Sequence, residues 1–153
     1  MKYNPTGVGE MELTTIVLDL NGTIAINGEI VLGVEERIEK LKNLGFTIYL
    51  FTGDQRGNAS VQAQKLGIEV QKASTSDEKE ELTRKLDVDH AVAIGNARID
   101  IGTFKPCKLR IGTLQSEGIH TGILAHIDIL VPSINDALDL LINENSFNAT
   151  MRK

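Results

Sequence analysis

Along this chain, short uninterrupted apolar runs alternate with stretches in which apolar residues recur every three or four positions. The segment GEMELTTIVLDL alternates and then turns continuously apolar over 16–18, which predicts an edge strand leading into a buried one. TIAINGEIV places Asn27-Gly28 between two short apolar runs, the dipeptide that a two-residue hairpin turn favours because both positions take positive φ. From 33 to 43, Val34, Ile38, Leu41 and then Leu44 recur at helical spacing, with Gly45 placed to close the helix. FTIYLF is a second buried-strand run and stops at Thr52-Gly53-Asp54. The next helix opens at Arg56 or Asn58, ends by Leu66 with Gly67 behind it, and leads into a short strand, IEV. Ser76 and Asp77 begin a third helix with Leu82 and Leu86 on one face. HAVAIG is another buried strand, ending at Gly95-Asn96. The region 98–118 reads as a short helix, a strand around 109–111 and a turn, and IDILV is the last strand. Ser133 then caps a closing helix, with Asp136 three residues on and Ile134, Ala137, Leu138 and Leu141 as its apolar stripe.

Strands alternating with helices predict a three-layer, Rossmann-like α/β fold: a mostly parallel sheet with helices on both faces, in one domain over 1–153. Ligands of such sheets bind beyond the carboxyl ends of the strands, where strand order reverses. The polar residues at those ends are Asp19, then Thr52 and Gly53, then Asn96 and Asp100. Each alone reads as an ordinary turn or cap residue; together they would crowd one edge of one sheet.

Composition narrows the function. The 153 residues are 41% apolar and 24% charged, enough for a soluble core, and with 4% aromatics and no Trp that core is built of Ile, Leu, Val and Ala. The net charge of −5, with no strongly basic stretch, argues against a nucleic-acid partner. Cys107 is the single cysteine and has no disulfide partner, so it reads as a packing residue. The opening MKYNPTGVGEMEL lacks the apolar region of a signal peptide, and no run nears the ~18 apolar residues of a membrane span. A cytoplasmic location without membrane association is therefore expected. His90, His120 and His126 show no metal-ligand spacing with Cys107, so no zinc site is expected.

The chemistry that uses a carboxylate, a hydroxyl and an open glycine at neighbouring strand ends is phosphoryl transfer through an aspartyl nucleophile. Asp19 would attack phosphorus, and Mg²⁺, which accepts few carboxylates and keeps several waters, would shield the two anions. The Thr52 hydroxyl and Gly53 N–H would hold phosphate oxygens, helped by the N-terminus of the following helix. A lysine is then needed against the charge that builds in the transition state; Lys79 is the candidate and Lys85 the reserve.

The order DLNGT, FTGD, a lysine and GNARID resembles the haloacid dehalogenase superfamily, whose motifs run DxDGT, Ser/Thr, Lys and GDxxxD. Within it, FTGDQRGNASVQAQKLGI looks most like the phosphorylation domain of P-type ATPases. The soluble P-type ATPase-like phosphatases, with their DxNGT-type motif and SINDALDLL-like ending, are the most similar group. The resemblance implies Asp19 as nucleophile, Thr52 as phosphate-binding hydroxyl and Lys79 as motif lysine. It further implies Leu20, Gly22, Thr52, Gly53 and Lys79 around the phosphate. Asp19, the backbone carbonyl of Asn21, Asn96 and Asp100 would hold Mg²⁺, directly or through water. Position 21 is also where catalytic members keep their acid/base. An amide there cannot shuttle a proton, help typically worth about 10² to 10⁴ in rate.

The short intervals from Asp19 to Thr52 and from Thr52 to Asn96 resemble those of capless members, with the hairpin at Asn27-Gly28 as a flap over the site. A small phosphorylated substrate or nucleotide is expected, and by analogy a homo-oligomer that helps exclude water. Two readings stand: a slow Mg²⁺-dependent phosphatase or weak ATPase, and a catalytically impaired descendant that binds phosphate, metal or a protein partner. A phosphotransfer protein with a long-lived aspartyl phosphate is a variant of the first.

Overall fold

The computed structural model describes residues 1–54 and 58–153; the Arg56 start considered for the second helix lies outside them. In chain order the strands are β1 (Lys2–Tyr3), β2 (Met11–Glu12), β3 (Thr15–Leu18), β4 (Ala25–Ile26), β5 (Glu29–Ile30), β6 (Thr47–Thr52), β7 (Glu69–Lys72), β8 (Ala91–Gly95), β9 (Leu109–Thr113) and β10 (Ile129–Val131). The α-helices are α1 (Val34–Asn43), α2 (Asn58–Leu66), α3 (Ser76–Thr83), α4 (Ile101–Phe104), α5 (Ile134–Ile142) and α6 (Glu144–Met151). Among the described residues, the central sheet has six strands, all parallel, in the order β10-β9-β8-β3-β6-β7. The chain runs outward from β3 to β6 and β7, then returns to lay β8 on the other side of β3. Strand order therefore reverses between β3 and β8.

Strand side chains alternate between faces, so one run of sequence feeds two cores. Ile16, Leu18, Ile48, Leu50, Val92 and Ile94 meet α1, α2, α5 and α6 on one face. Val17 and Phe51, with Ala91 and Ala93, point the other way, toward Leu82 of α3, Leu86 just beyond it and Phe104 of α4. The result is the expected three-layer α/β sandwich. The hairpin also forms as read: β4 and β5 pair antiparallel, and Asn27 and Gly28 turn between them at φ 52° and 82°. Between β3 and β6 the chain is spent on this flap and on α1.

Two local expectations change. The strand expected at the sheet edge, β2, pairs antiparallel with β1 in a separate ribbon. It is drawn there because Tyr3 is buried against Phe147 (ring centroids 4.0 Å apart) and its hydroxyl donates to the Leu141 carbonyl at 2.6 Å. Helix α5, capped by Ser133 as expected, is not the last: Asn143 caps a further helix, α6, anchored by the buried Phe147. Helix α3 begins at Ser76 as expected, and Thr75 caps it: its hydroxyl accepts from the Glu78 N–H at 3.1 Å.

Helices α3 and α4 touch through Gly102. A Cβ there would stand 1.9 Å from the Ser76 carbonyl oxygen and 3.0 Å from the Glu80 nitrogen, both backbone atoms that cannot swing aside. This contact sets the depth at which α3 sits over the sheet. Gly102→Ala should cost about 1 to 3 kcal/mol in urea unfolding, the usual range for overpacking; an unchanged midpoint would show that the two helices part without cost.

Candidate active site

Three strand ends meet where the sheet order reverses. Asp19 directly follows β3, and its N–H donates to the Ile94 carbonyl of β8 at 3.2 Å, which seats it between the two strands. Thr52 closes β6; its buried hydroxyl accepts from the Asp54 N–H at 3.1 Å. Gly53 runs so close to the chain beyond β7 that a Cβ would lie 3.1 Å from Ser74 Cα. Asn96 follows β8. Asp19, Asn21, Thr52, Gly53, Lys79 and Asn96 line one open cleft of about 530 Å³. A groove of about 570 Å³ between the flap and α2 is slightly larger, but none of these residues lines it.

Lys79 enters the cleft from α3 and is only 1% exposed. Its Nζ donates to Asp19 Oδ1 and to Asp100 Oδ1, each at 2.7 Å. Lys85 is exposed and pairs with Glu81 at 3.4 Å along the helix surface, so of the two lysines only Lys79 faces Asp19. Burial pushes the Lys79 ammonium toward losing its proton, but Asp19 and Asp100 outweigh that and hold it above the ordinary lysine range. For Asp19 the balance tips the other way. Burial, and then the charge of Asp100, push its carboxyl up to about 7, against the pull of Lys79 and of the Leu20 N–H.

Asp100 serves as a bracket. Its Oδ2 accepts from the N–H groups of Asn96 and Ala97, both at 2.9 Å, while Oδ1 takes the lysine. Gly95 makes this possible, since a Cβ there would stand 2.4 Å from Asp100 Oδ2. Both carboxylate oxygens are thus engaged by protein donors, and the residue is buried behind the cleft wall. Asn96 is also engaged: its Oδ1 accepts from the Thr23 hydroxyl at 3.3 Å and its Nδ2 donates to the Gly118 carbonyl at 2.9 Å.

The first-motif loop is shaped by its backbone. The Leu20 side chain is buried in the core, and its carbonyl accepts from the N–H groups of Thr23 and Ala25. Gly22 takes φ 78° and donates to the Ala25 carbonyl at 2.8 Å. One charged residue of the cleft lies outside every sequence motif. Glu117, from the loop after β9, stands on the same wall as Asn96. It lies in a short polar turn far along the chain from every motif, so no pattern marks it.

Among the described residues, no three His, Cys, Asp or Glu side chains gather closely enough to hold a metal ion. The cleft offers the Asp19 carboxylate and the backbone at Asn21, with room for water. That sparse, all-oxygen set fits Mg²⁺, which keeps several waters, and fits zinc poorly. Cys107 is buried with its thiol pushed up to about 12, consistent with packing rather than reactivity. No helix among the described residues is long and apolar enough to cross a membrane.

No protein-family profile matches the chain. An uncharacterized protein of Methanocaldococcus jannaschii is 41% identical over 73 residues, covering 48% of this chain and 78% of that protein. A soluble P-type ATPase-like phosphatase of the same organism is 25% identical over 141 residues, covering 88% of this chain. The match spans 52%, about half, of that relative's length. Among solved structures, the cobalt-bound deoxy-D-mannose-octulosonate 8-phosphate phosphatase of Haemophilus influenzae superposes with a TM-score of 0.73 at 10% identity, over 93% of this chain and 94% of that one. A Legionella pneumophila protein described as a HAD superfamily (subfamily III A) hydrolase gives 0.69 at 16% identity, over 90% and 86%. The chain has the haloacid dehalogenase fold. The same fold in the 3-deoxy-D-manno-octulosonate 8-phosphate phosphatase of Moraxella catarrhalis, solved with magnesium, phosphate and KDO, gives 0.68 at 18% identity, over 92% and 94%.

In this haloacid dehalogenase fold the raised Asp19 carboxyl makes metal-free stability depend on pH. The folded chain holds a proton that the unfolded chain has lost between about pH 4 and about pH 7, so stability falls as pH rises through that window and levels off above it. Thermal unfolding in the presence of a chelator should show this fall in the native chain and a shallower one in Asp19→Asn. Parallel slopes would show that Asp19 carries no such proton.

Proposed function

We propose that the chain is a Mg²⁺-dependent phosphohydrolase that accepts a phosphoryl group on Asp19 from a small phosphorylated substrate or nucleotide and releases it slowly. The observation that carries this reading is the Lys79 ammonium held at 2.7 Å from both Asp19 and Asp100 at the open ends of the strands. A buried carboxylate with a fixed cation beside it is a nucleophile whose transition-state partner is already in place. The phosphatase names carried by its relatives support the reading.

An Asp19 oxygen attacks phosphorus, the bond from phosphorus to the leaving oxygen breaks, and that oxygen departs with the electron pair. The Thr52 hydroxyl and Gly53 N–H receive the phosphoryl oxygens, and Lys79 faces the charge that builds on them. Mg²⁺, held by the Asp19 carboxylate and the Asn21 carbonyl, would supply positive charge between the two anions. Asp100 positions Lys79. The departing oxygen needs a proton, and the Asn21 amide has none to give. Nor can that amide take one from the water that must later attack the aspartyl phosphate. Phosphorylation is therefore favoured for leaving groups that depart as stable anions, and dephosphorylation is the slow half.

Incubation with Mg²⁺ and acetyl phosphate should add one phosphoryl group by intact mass, labile to hydroxylamine and absent in Asp19→Asn. An adduct that persists in Asp19→Asn would overturn the assignment. No adduct, with inorganic phosphate still bound, would favour the reading as a phosphate-binding module. Restoring the acid/base by Asn21→Asp should raise turnover, by up to about 10² to 10⁴ for poor leaving groups. An unchanged rate for those substrates would mean that the site has been rebuilt around the amide.

A further inference from the structure

Position 96 carries an amide where the resemblance leads one to expect a carboxylate, and the structure shows what the amide does. Its Nδ2 donates to the Gly118 carbonyl at 2.9 Å, and its own backbone carbonyl accepts from the His120 N–H at 3.0 Å. A carboxylate in this place would set an anion against a carbonyl oxygen, with no proton to share. The amide instead fastens the loop after β9 onto the end of β8. The residue that this loop delivers to the cleft is Glu117.

Glu117 sits over the first-motif loop in a space that exists because residue 22 is glycine. A Cβ on Gly22 would lie 2.7 Å from Glu117 Oε2 and 2.4 Å from Asn96 Nδ2. The carboxylate thus shares a wall with Asn21 and Asn96 while remaining partly open to water. Among the described residues it forms no ion pair. Lys79, the ammonium of the cleft, is committed to Asp19 and Asp100.

We propose that Glu117 supplies the negative charge toward the bound cation that Asn96 lacks, by holding water of a hydrated Mg²⁺. Contact through water is the form that the geometry favours, since Glu117 does not gather with Asp19 and Asp100 into a set that could grip a bare ion. Mg²⁺ gives up its waters reluctantly, and carboxylates that hold ligands or waters in place typically contribute 10- to 100-fold in metal affinity. Asn96 is then a positioning residue, acting through Gly118. This inference rests on the Mg²⁺ site proposed above.

The test is metal binding without turnover: Mn²⁺ titrated by electron paramagnetic resonance and Mg²⁺ by calorimetry, on the full chain without phosphate. Glu117→Gln should weaken both by about 10-fold or more, whereas Glu10→Gln, on the surface far from the cleft, should not. Asn96→Ala should weaken binding to a similar degree, and the double variant no further, because the amide acts through Glu117. Circular dichroism confirms folding of each variant, and the exposed position of Glu117 favours it. Loss of binding in Asp19→Asn with native affinity in Glu117→Gln would overturn this inference and leave the Mg²⁺ site standing. A native chain that binds neither ion would overturn both. Weakening in Asn96→Ala that adds in full to that of Glu117→Gln would overturn the positioning role.

Discussion

The site is organised around one buried ammonium. Lys79 is almost wholly removed from water, and only two carboxylates at hydrogen-bond distance make that tolerable. Stripping one partner from a buried ion pair typically costs about 3 to 5 kcal/mol, because the other charge is left unsolvated. The three groups therefore fix one another. They also come from three separate segments: Asp19 from the end of β3, Lys79 from α3, and Asp100 from the turn behind β8. Bringing them together requires the β3–β8 reversal, the missing side chain at Gly95 and the close α3–α4 approach at Gly102. The fold's packing details are in this sense requirements of the triad.

The triad also explains why the upward shifts of Asp19 and Lys79 have opposite consequences, the lysine kept charged and the aspartate drawn toward its neutral form. One cation faces two anions in a dry setting, so the lysine is over-supplied with negative charge and the aspartate is under-supplied with positive charge. A cleft in that condition favours an added cation beside Asp19. The two amides, Asn21 and Asn96, belong to the same balance. Each removes a charge that the resemblance leads one to expect, but they do different things. Asn21 stands exposed in the cleft, and Asn96 ties three loops together through Thr23, Gly118 and His120.

Much of this was legible in the sequence. The three buried runs, at 16–18, FTIYLF and HAVAIG, had the length and composition of buried parallel strands, and Asn27-Gly28, Gly45 and Ser133 marked turns and caps correctly. Asp19, Thr52 and Asn96 stood out because each ends such a run. What was hidden depended on partners distant in sequence. Helix α6 is polar apart from a few positions and forms because Phe147 finds Tyr3, a contact no local pattern announces. The same contact pulls β2 away from the main sheet. Glu117 lies outside every motif and reaches the cleft on a loop that the Asn96 amide holds. Asp100 read as one more ligand in a motif, whereas its engagement with Lys79 and two backbone N–H groups is visible only in three dimensions.

The most direct measurement is a crystal structure grown with Mg²⁺ and beryllofluoride, which mimics a phosphoryl group on a carboxylate. The expected result is beryllium bonded to an Asp19 oxygen, with Lys79 Nζ against a fluoride and still bonded to Asp100. Beryllofluoride lodged elsewhere, or Lys79 withdrawn from Asp19 in its presence, would contradict the assignment of Asp19 as nucleophile and Lys79 as its charge partner.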